Sequence, residues 1–211
     1  MNTRVVLMTK LPVPGTVKTR LIPALGADRA ARLHHSMLLD TLDKVASTGL
    51  PCTIAIAGDM AHPLVSDLTD IGHSVQPQQG GGLGERLQHA VRGPHRVIAV
   101  GADCVCFSAD WIVEAAQSTA DVTLGPADDG GYWAIGVTPP AKAHVFTDID
   151  WSTDRVYEQT MARARGAGLS VHRLPACYDI DRPEDLPRLL SDARCPPRTA
   201  AVLRELGAIA P

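Results

Sequence analysis

Short apolar runs punctuate the chain at Val5–Met8, Thr53–Ala57, Val97–Val100, Val122–Leu124 and Val171–Leu174. They are too brief for helices and rich in β-branched residues, the pattern of strands covered on both faces of a sheet. Between them, apolar residues recur at helical spacing. Residues Asp28–Ala46 carry Ala31, Leu38, Leu42 and Val45 in register, with Asp28 placed as the N-cap. Ser108–Gln117, Ser152–Ala164 and Pro183–Leu190 read the same way, each opened by Ser or Pro, and Pro196–Leu206 reads as a terminal helix. Strands alternating with helices imply right-handed crossovers and a mostly parallel sheet. The pattern therefore predicts an α/β fold with one interruption: residues 126–150 hold a glycine-rich turn and then Tyr132–Val137, either an antiparallel insertion or an edge strand.

Composition narrows the picture. A chain of 211 residues with 45% hydrophobic side chains can bury roughly 70% of its unfolded surface, so one domain over residues 1–211 is expected. Lys and Arg number 20 against 23 Asp and Glu, a net charge of -3, and no nucleic acid partner is expected without a basic excess. The apolar runs fall far short of the roughly 20 residues that span a bilayer, so no membrane partner is expected either. One charge and a four-residue apolar run at the N-terminus do not make a secretory signal, which predicts a cytoplasmic protein. The five cysteines are scattered, with no CxxC pair, against a disulfide framework or structural zinc.

In an open α/β sheet the ligand crevice lies beyond the carboxyl ends of the strands, and four segments there carry candidate chemistry. Lys10–Leu21 follows the first strand; Pro12, Pro14 and Gly15 shape a loop that presents Lys18, Thr19 and Arg20 in succession. An ammonium, a hydroxyl and a guanidinium fork suit a nucleotide phosphate; the alternative is a solvated basic loop. The spacing lacks the second glycine of a Walker A loop, which disfavours P-loop ATPase chemistry. Val97–Cys104 ends in Gly101-Ala102-Asp103, where one carboxylate on the crevice floor can hold Mg²⁺. Asp103 could instead cap the next helix, although Ser108 fits that role better.

The third segment, Gly125–Trp133, pairs Asp128 and Asp129 with Gly130 and Gly131, either a ligand-contacting turn or a plain one. Tyr132 and Trp133 beside it point toward a substrate pocket. In the fourth, Tyr178–Leu186, Asp179 and Asp181 face one side of an extended segment and could complete a cation site, or Asp181 caps the helix begun by Pro183. A glycine run, Gly80–Gly84 followed by Glu85 and Arg86, could reach a base or sugar through backbone groups. No HExxH or GxSxG motif occurs, which leaves zinc and serine hydrolase readings unsupported.

Taken together, these segments resemble the nucleotide-diphospho-sugar transferase (GT-A) superfamily and, within it, the DUF2064 family, related to the guanylyltransferases of coenzyme F420 biosynthesis and to MobA-like nucleotidyltransferases. The resemblance runs in order through Lys10–Leu21, Gly84-Glu85-Arg86, Gly101–Cys104, Gly125–Gly136, Phe146–Val156 with Trp151-Ser152-Thr153, and Asp179–Leu186. It implies a three-layer α/β/α, Rossmann-like GT-A fold with a mostly parallel mixed sheet. It also implies that Lys18 and Arg20 hold nucleotide phosphates, that Asp103 is the main Mg²⁺ (or Mn²⁺) ligand, and that Asp179 or Asp181 lies near the metal. Asp128 and Asp129 would line the acceptor side; Lys10, Gly15, Thr19, Gly84, Arg86, Gly130 and Gly131 complete the expected substrate-binding set. Two departures stand out: Val105-Cys106-Phe107 replaces the usual Pro after Asp-Cys, and Gly82 stands where the family has Asp.

The function expected from these residues is Mg²⁺-dependent transfer of a nucleoside monophosphate from a triphosphate to a small phosphate- or carboxylate-bearing acceptor. Such chemistry needs alignment and charge neutralisation rather than a protein nucleophile. Glycosyl transfer from a nucleotide-diphospho-sugar is the alternative within the fold, and a catalytically idle nucleotide-binding module the third reading. The expected partners are a nucleotide and a small acceptor, with a homo-oligomer open.

Overall fold

The computed structural model describes residues 3–207. Seven strands form one sheet: β1 (Thr3–Lys10), β2 (Cys52–Ala57), β3 (Ser74–Pro77), β4 (Arg96–Gly101), β5 (Val122–Pro126), β6 (Tyr132–Val137) and β7 (Val171–Arg173). Their spatial order is β3-β2-β1-β4-β6-β5-β7, and β6 alone runs antiparallel to its neighbours, β4 and β5. Among the described residues the α-helices are α1 (Ile22–Leu25), α2 (Ala27–Ser47), α3 (Pro63–Asp70), α4 (Leu83–Ala90), α5 (Ala109–Gln117), α6 (Val156–Gly166), α7 (Asp185–Ser191) and α8 (Pro197–Glu205). Among the described residues no helix is long and apolar enough to cross a membrane.

The period of two along each strand sorts the core into two layers. Val5, Leu7, Ile54, Ile56, Ile98 and Val100 pack against Leu33 and Met37 of α2, Leu68 of α3, Ile112 of α5, Leu189 of α7 and Leu203 of α8. Val6, Ala55, Val97 and Ala99 face the other way, onto Leu87 and Ala90 of α4 and Ala164 of α6. Helices thus cover both faces of the sheet, and the unbroken apolar runs of the interior strands β1, β4 and β5 are explained by their double burial, whereas β7 is a half-buried edge strand. Each fully buried branched side chain contributes roughly 1.5–3 kcal/mol, so the central strands form a rigid platform for whatever follows them.

Some boundaries differ from the sequence reading, each for a local reason. The N-cap of α2 is Gly26, not Asp28; Gly26 takes φ +82°, which lets the chain turn between α1 and α2, and Asp28 sits in the first turn, where its charge meets the helix dipole favourably. The helix expected from Ser152 begins at Val156, because residues 152–155 are spent in turns, and the helix expected from Pro183 begins at Asp185. Strand β6 is an interior insertion, with Ala134, Ile135 and Val137 buried between two partners. Ser108 caps α5, its hydroxyl accepting from the Asp110 amide, which leaves the Asp103 side chain free of capping.

Candidate active site

Strands β2 and β3 lie on one side of β1, and β4 on the other. The connections from β1 and from β4 therefore leave in opposite directions, and the crevice between their carboxyl ends is where ligands of such sheets bind. A cavity of about 560 Å³ opens there, bounded by the β1–α1 loop, the end of β4 and the segment that precedes α7.

The β1–α1 loop is shaped by its own backbone. Gly15 turns at φ +85°, and Thr16 donates through both its amide and its hydroxyl to the Val13 carbonyl. Buried Val17, before a single turn of 3-10 helix at Thr19–Leu21, and buried Leu21, its last residue, anchor the stretch. Lys18 opens that turn as its N-cap, in the left-handed region at φ +47° and ψ +41°, where a side chain with a Cβ costs of order 1 kcal/mol. What offsets the strain is the destination of its side chain.

Lys18 Nζ is almost wholly enclosed, with 2% of the side chain exposed, and donates to Asp103 Oδ1 and, at 3.1 Å, to Asp181 Oδ1. Asp103 stands immediately beyond β4, and its carbonyl accepts from the amide of buried Ile180 at 3.1 Å. That one backbone bond lays the Asp179–Asp181 segment against the end of β4. Asp185 Oδ2 fixes the same segment by accepting from the amides of Asp181 and Arg182. Arg20 Nη1 lies 3.5 Å from Asp181 Oδ2 at the mouth. Burial works against the charge of Lys18, but Asp103 and Asp181 outweigh it and raise its pKa. Enclosure likewise disfavours the charge of Asp103, yet the Lys18 ammonium holds its carboxyl below the ordinary range. Lys18 and Asp103 thus each hold the other's charge.

Asp179 behaves differently. Burial, then the charge of nearby Asp129, pushes its carboxyl up to about 7. Cys104 Sγ donates to its Oδ1 at 3.1 Å, while the buried Oδ2 has no partner among the described residues. The three aspartates therefore divide into a pair that shares the Lys18 ammonium and a third, Asp179, that lines the same cavity without a cationic partner.

The remaining expected residues fall into two groups. Lys10, Thr19 and Arg86 line the cavity with Lys18, Arg20, Asp103, Asp179 and Asp181. Gly15, Gly84, Asp128, Asp129, Gly130 and Gly131 do not line it. Gly84 is buried in α4, where a Cβ would meet the Trp151 indole. Asp128 Oδ2 accepts from Arg188 Nη1 at 2.8 Å, and Arg188 in turn lies 3.7 Å over the Tyr178 ring. Asp129 Oδ1 accepts from the Gly131 amide at 2.8 Å. Gly130, at φ +86°, is pressed onto the Asp154 backbone, and its carbonyl accepts from the Tyr157 amide. Tyr132 and Trp133 do reach the cavity wall, but Trp133 is core, stacked on Phe107 and donating to the Pro175 carbonyl.

His34 and Gln78 also line the cavity and have no counterpart in the sequence reading. His34 projects from the buried face of α2, and its Nε2 lies 3.1 Å from the Lys10 carbonyl. Because a carbonyl only accepts, Nε2 carries the proton; burial lowers the pKa of this ring and favours its neutral form. Gln78, just past β3, donates through Nε2 to the carbonyls of Thr9 and Ala55, tying the ends of β1 and β2 together. A polar residue on the inward side of α2 was the available signal for His34; Gln78 had none.

Both departures acquire a local meaning. The Val105–Phe107 stretch is held without proline: all three residues are buried, and Lys44 Nζ reaches the carbonyls of Val105 and Phe107. Gly82 is the N-cap residue of α4 in extended backbone, with open space where a side chain would stand, so the cap lacks a side-chain acceptor.

The donor chemistry also bears on a divalent cation. Among the described residues no cluster of three or more His, Cys, Asp or Glu is arranged as a protein cage. Mg²⁺, however, is ordinarily held by one or two carboxylates together with substrate oxygens. Asp103 and Asp181, with 54% and 41% of their side chains exposed, and the unpartnered Oδ2 of Asp179 fit that requirement.

Comparison with known proteins places this arrangement among relatives. Residues 41–153 match the family described as "Uncharacterized protein conserved in bacteria (DUF2064)". The chain is 29% identical over 178 residues to a 2-phospho-L-lactate guanylyltransferase of Natronomonas pharaonis, covering 82% of this chain and 79% of that protein. A Desulfovibrio desulfuricans structure described as a nucleotide-diphospho-sugar transferase superposes with a TM-score of 0.87 at 32% identity, over 98% of this chain and 96% of that one. A Mycobacterium tuberculosis protein solved with manganese shares the fold at a TM-score of 0.56 and 12% identity, over 92% of this chain and 100% of that one.

Proposed function

The chain belongs to the DUF2064 family and is an enzyme of the transferase class; from that premise we propose that it moves a nucleoside monophosphate from a nucleoside triphosphate to a small acceptor bearing a phosphate or carboxylate, with Mg²⁺ as cofactor. The observation that carries the reading is the sharing of Lys18 Nζ between Asp103 and Asp181 at the strand switch point, with Arg20 at its mouth. A cationic loop and an acid pair within one cavity suit a polyphosphate whose charge is met from both sides.

In this reading Lys18 and Arg20 hold the β- and γ-phosphates, and Thr19 and Lys10 line the path of the anion. Asp103 and Asp181 hold the divalent cation, which when bound draws charge from the phosphate oxygens. The acceptor oxygen attacks the α-phosphorus, the bond from that phosphorus to the bridging oxygen breaks, and pyrophosphate leaves with its charge met by Lys18 and Arg20. Alignment and a preorganised field account for such a step without a covalent protein intermediate.

The 2-phospho-L-lactate guanylyltransferase relative favours GTP and a phosphorylated hydroxyacid as the first pair to assay. Glycosyl transfer is the second reading, favoured by the description of the Desulfovibrio relative. The two give different products. Incubation with Mg²⁺, a panel of triphosphates and phosphorylated or carboxylated acceptors should release pyrophosphate; release of nucleoside diphosphate from nucleotide sugars, with no pyrophosphate from any triphosphate, decides for the second reading.

A further inference from the structure

The cation at the centre of this site is inside and the anions are outside. The Lys18 side chain is 2% exposed, whereas the outer edges of Asp103 and Asp181 face the cavity. The ammonium donates to one oxygen of each carboxylate, and Arg20 approaches the second oxygen of Asp181. Two positive side chains thus already answer the two acids. A bare divalent ion arriving there finds carboxylates whose charge is met and a fixed ammonium beside them, which repels it. A triphosphate would give Lys18 and Arg20 a new anionic partner, and Asp103 and Asp181 would then be free to hold a divalent ion.

We infer that Lys18 is a built-in counter-ion that keeps the Asp103–Asp181 pair closed to free divalent metal and yields it only when a nucleotide's phosphates give the ammonium another partner. The second half of this inference rests on the nucleotidyl-transfer reading; the first half concerns only these three side chains. The left-handed backbone at Lys18 belongs to the same device, since it aims the side chain inward between buried Val17 and exposed Thr19. Occupancy by metal and by nucleotide is then coupled, and coupling is reciprocal.

The test uses Mn²⁺ alone as the probe, with free Mn²⁺ read by electron paramagnetic resonance on the full chain. It compares wild type, Lys18→Met and the double variant Lys18→Met with Asp103→Asn, each with and without a non-hydrolysable triphosphate analogue. Removing one unit charge beside a divalent ion should tighten binding of Mn²⁺ alone by about tenfold or more in Lys18→Met. The double variant should lose that gain, and the analogue should raise Mn²⁺ affinity far more in wild type than in Lys18→Met. Thermal melting verifies folding; if the Met variant does not fold, Lys18→Gln takes its place. Equal affinity for Mn²⁺ alone in wild type and the folded neutral variant overturns the counter-ion. If the analogue fails to bind wild type while the neutral variant still gains Mn²⁺, the nucleotide reading falls and the closed acid pair stands.

Discussion

Two pairs of acids lie beyond the strands in this molecule, and they end differently. Asp103, after β4, and Asp181, before α7, converge on one buried ammonium and keep their outer oxygens toward a cavity. Asp128 and Asp129, after β5, are consumed locally: one by Arg188, the other by the Gly131 amide. In sequence both look like carboxylates poised for a ligand. What separates them is whether the chain itself uses up their lone pairs, and that depends on residues 60 or more positions away in the case of Arg188. The first pair is placed to receive charge; the second ties the β5–β6 connection to α7 and to itself.

Substitutions can break the contrast or sharpen it. The largest effect belongs to Asp103→Asn, which should lower metal-dependent turnover by about 10²–10³-fold while Asp128→Asn stays within about twofold, both read as pyrophosphate release; equal losses would erase the distinction. Next in size is Gly130→Ala. Its Cβ would stand about 2.5 Å from the Asp154 carbonyl carbon at φ +86°, so stability should fall by at least about 2 kcal/mol in denaturant melts, with nucleotide affinity unchanged in the folded fraction.

The third prediction concerns Asp179. Its folded pKa, about 7, lies above the ordinary unfolded value of about 3.9. The folded state therefore binds more protons between those values, and stability falls as pH rises through that window, then levels off. Asp179→Asn removes the ionisation, so in chelator-treated protein it should be more stable than wild type at pH 8, by on the order of 1 kcal/mol or more, with the advantage shrinking toward pH 5. A constant difference across that range would contradict the buried, proton-retaining carboxyl. Smallest is Asp128→Ala: its bond to Arg188 joins two half-exposed groups, and the stability loss should not exceed about 1 kcal/mol.

The double-buried strands were legible because their apolar runs need no context. Strand β3 was not, since Ser74–Pro77 is a four-residue edge strand in which Val75 is the one apolar branched side chain. Helix α3 did carry signals that went unread, Pro63 at its first position and Leu64, Val65 and Leu68 on one side. Within the site, Lys18, Arg20, Asp103 and Asp181 were legible from their places after strands. Sequence offered nothing to show that Lys18 spans the two acids, because the bond from Ile180 to the Asp103 carbonyl joins segments that only the sheet order brings together. Nor could it show that Gly84 and Gly130 serve close packing against Trp151 and Asp154 rather than ligand approach.

A crystal structure with Mg²⁺ and a non-hydrolysable triphosphate analogue tests the shared site most directly. The account predicts phosphate oxygens within hydrogen-bonding distance of Lys18 Nζ, with Mg²⁺ bridging those phosphates to Asp103. A triphosphate seated instead against Asp128 and Asp129, with Lys18 still paired to both of its acids, would contradict it.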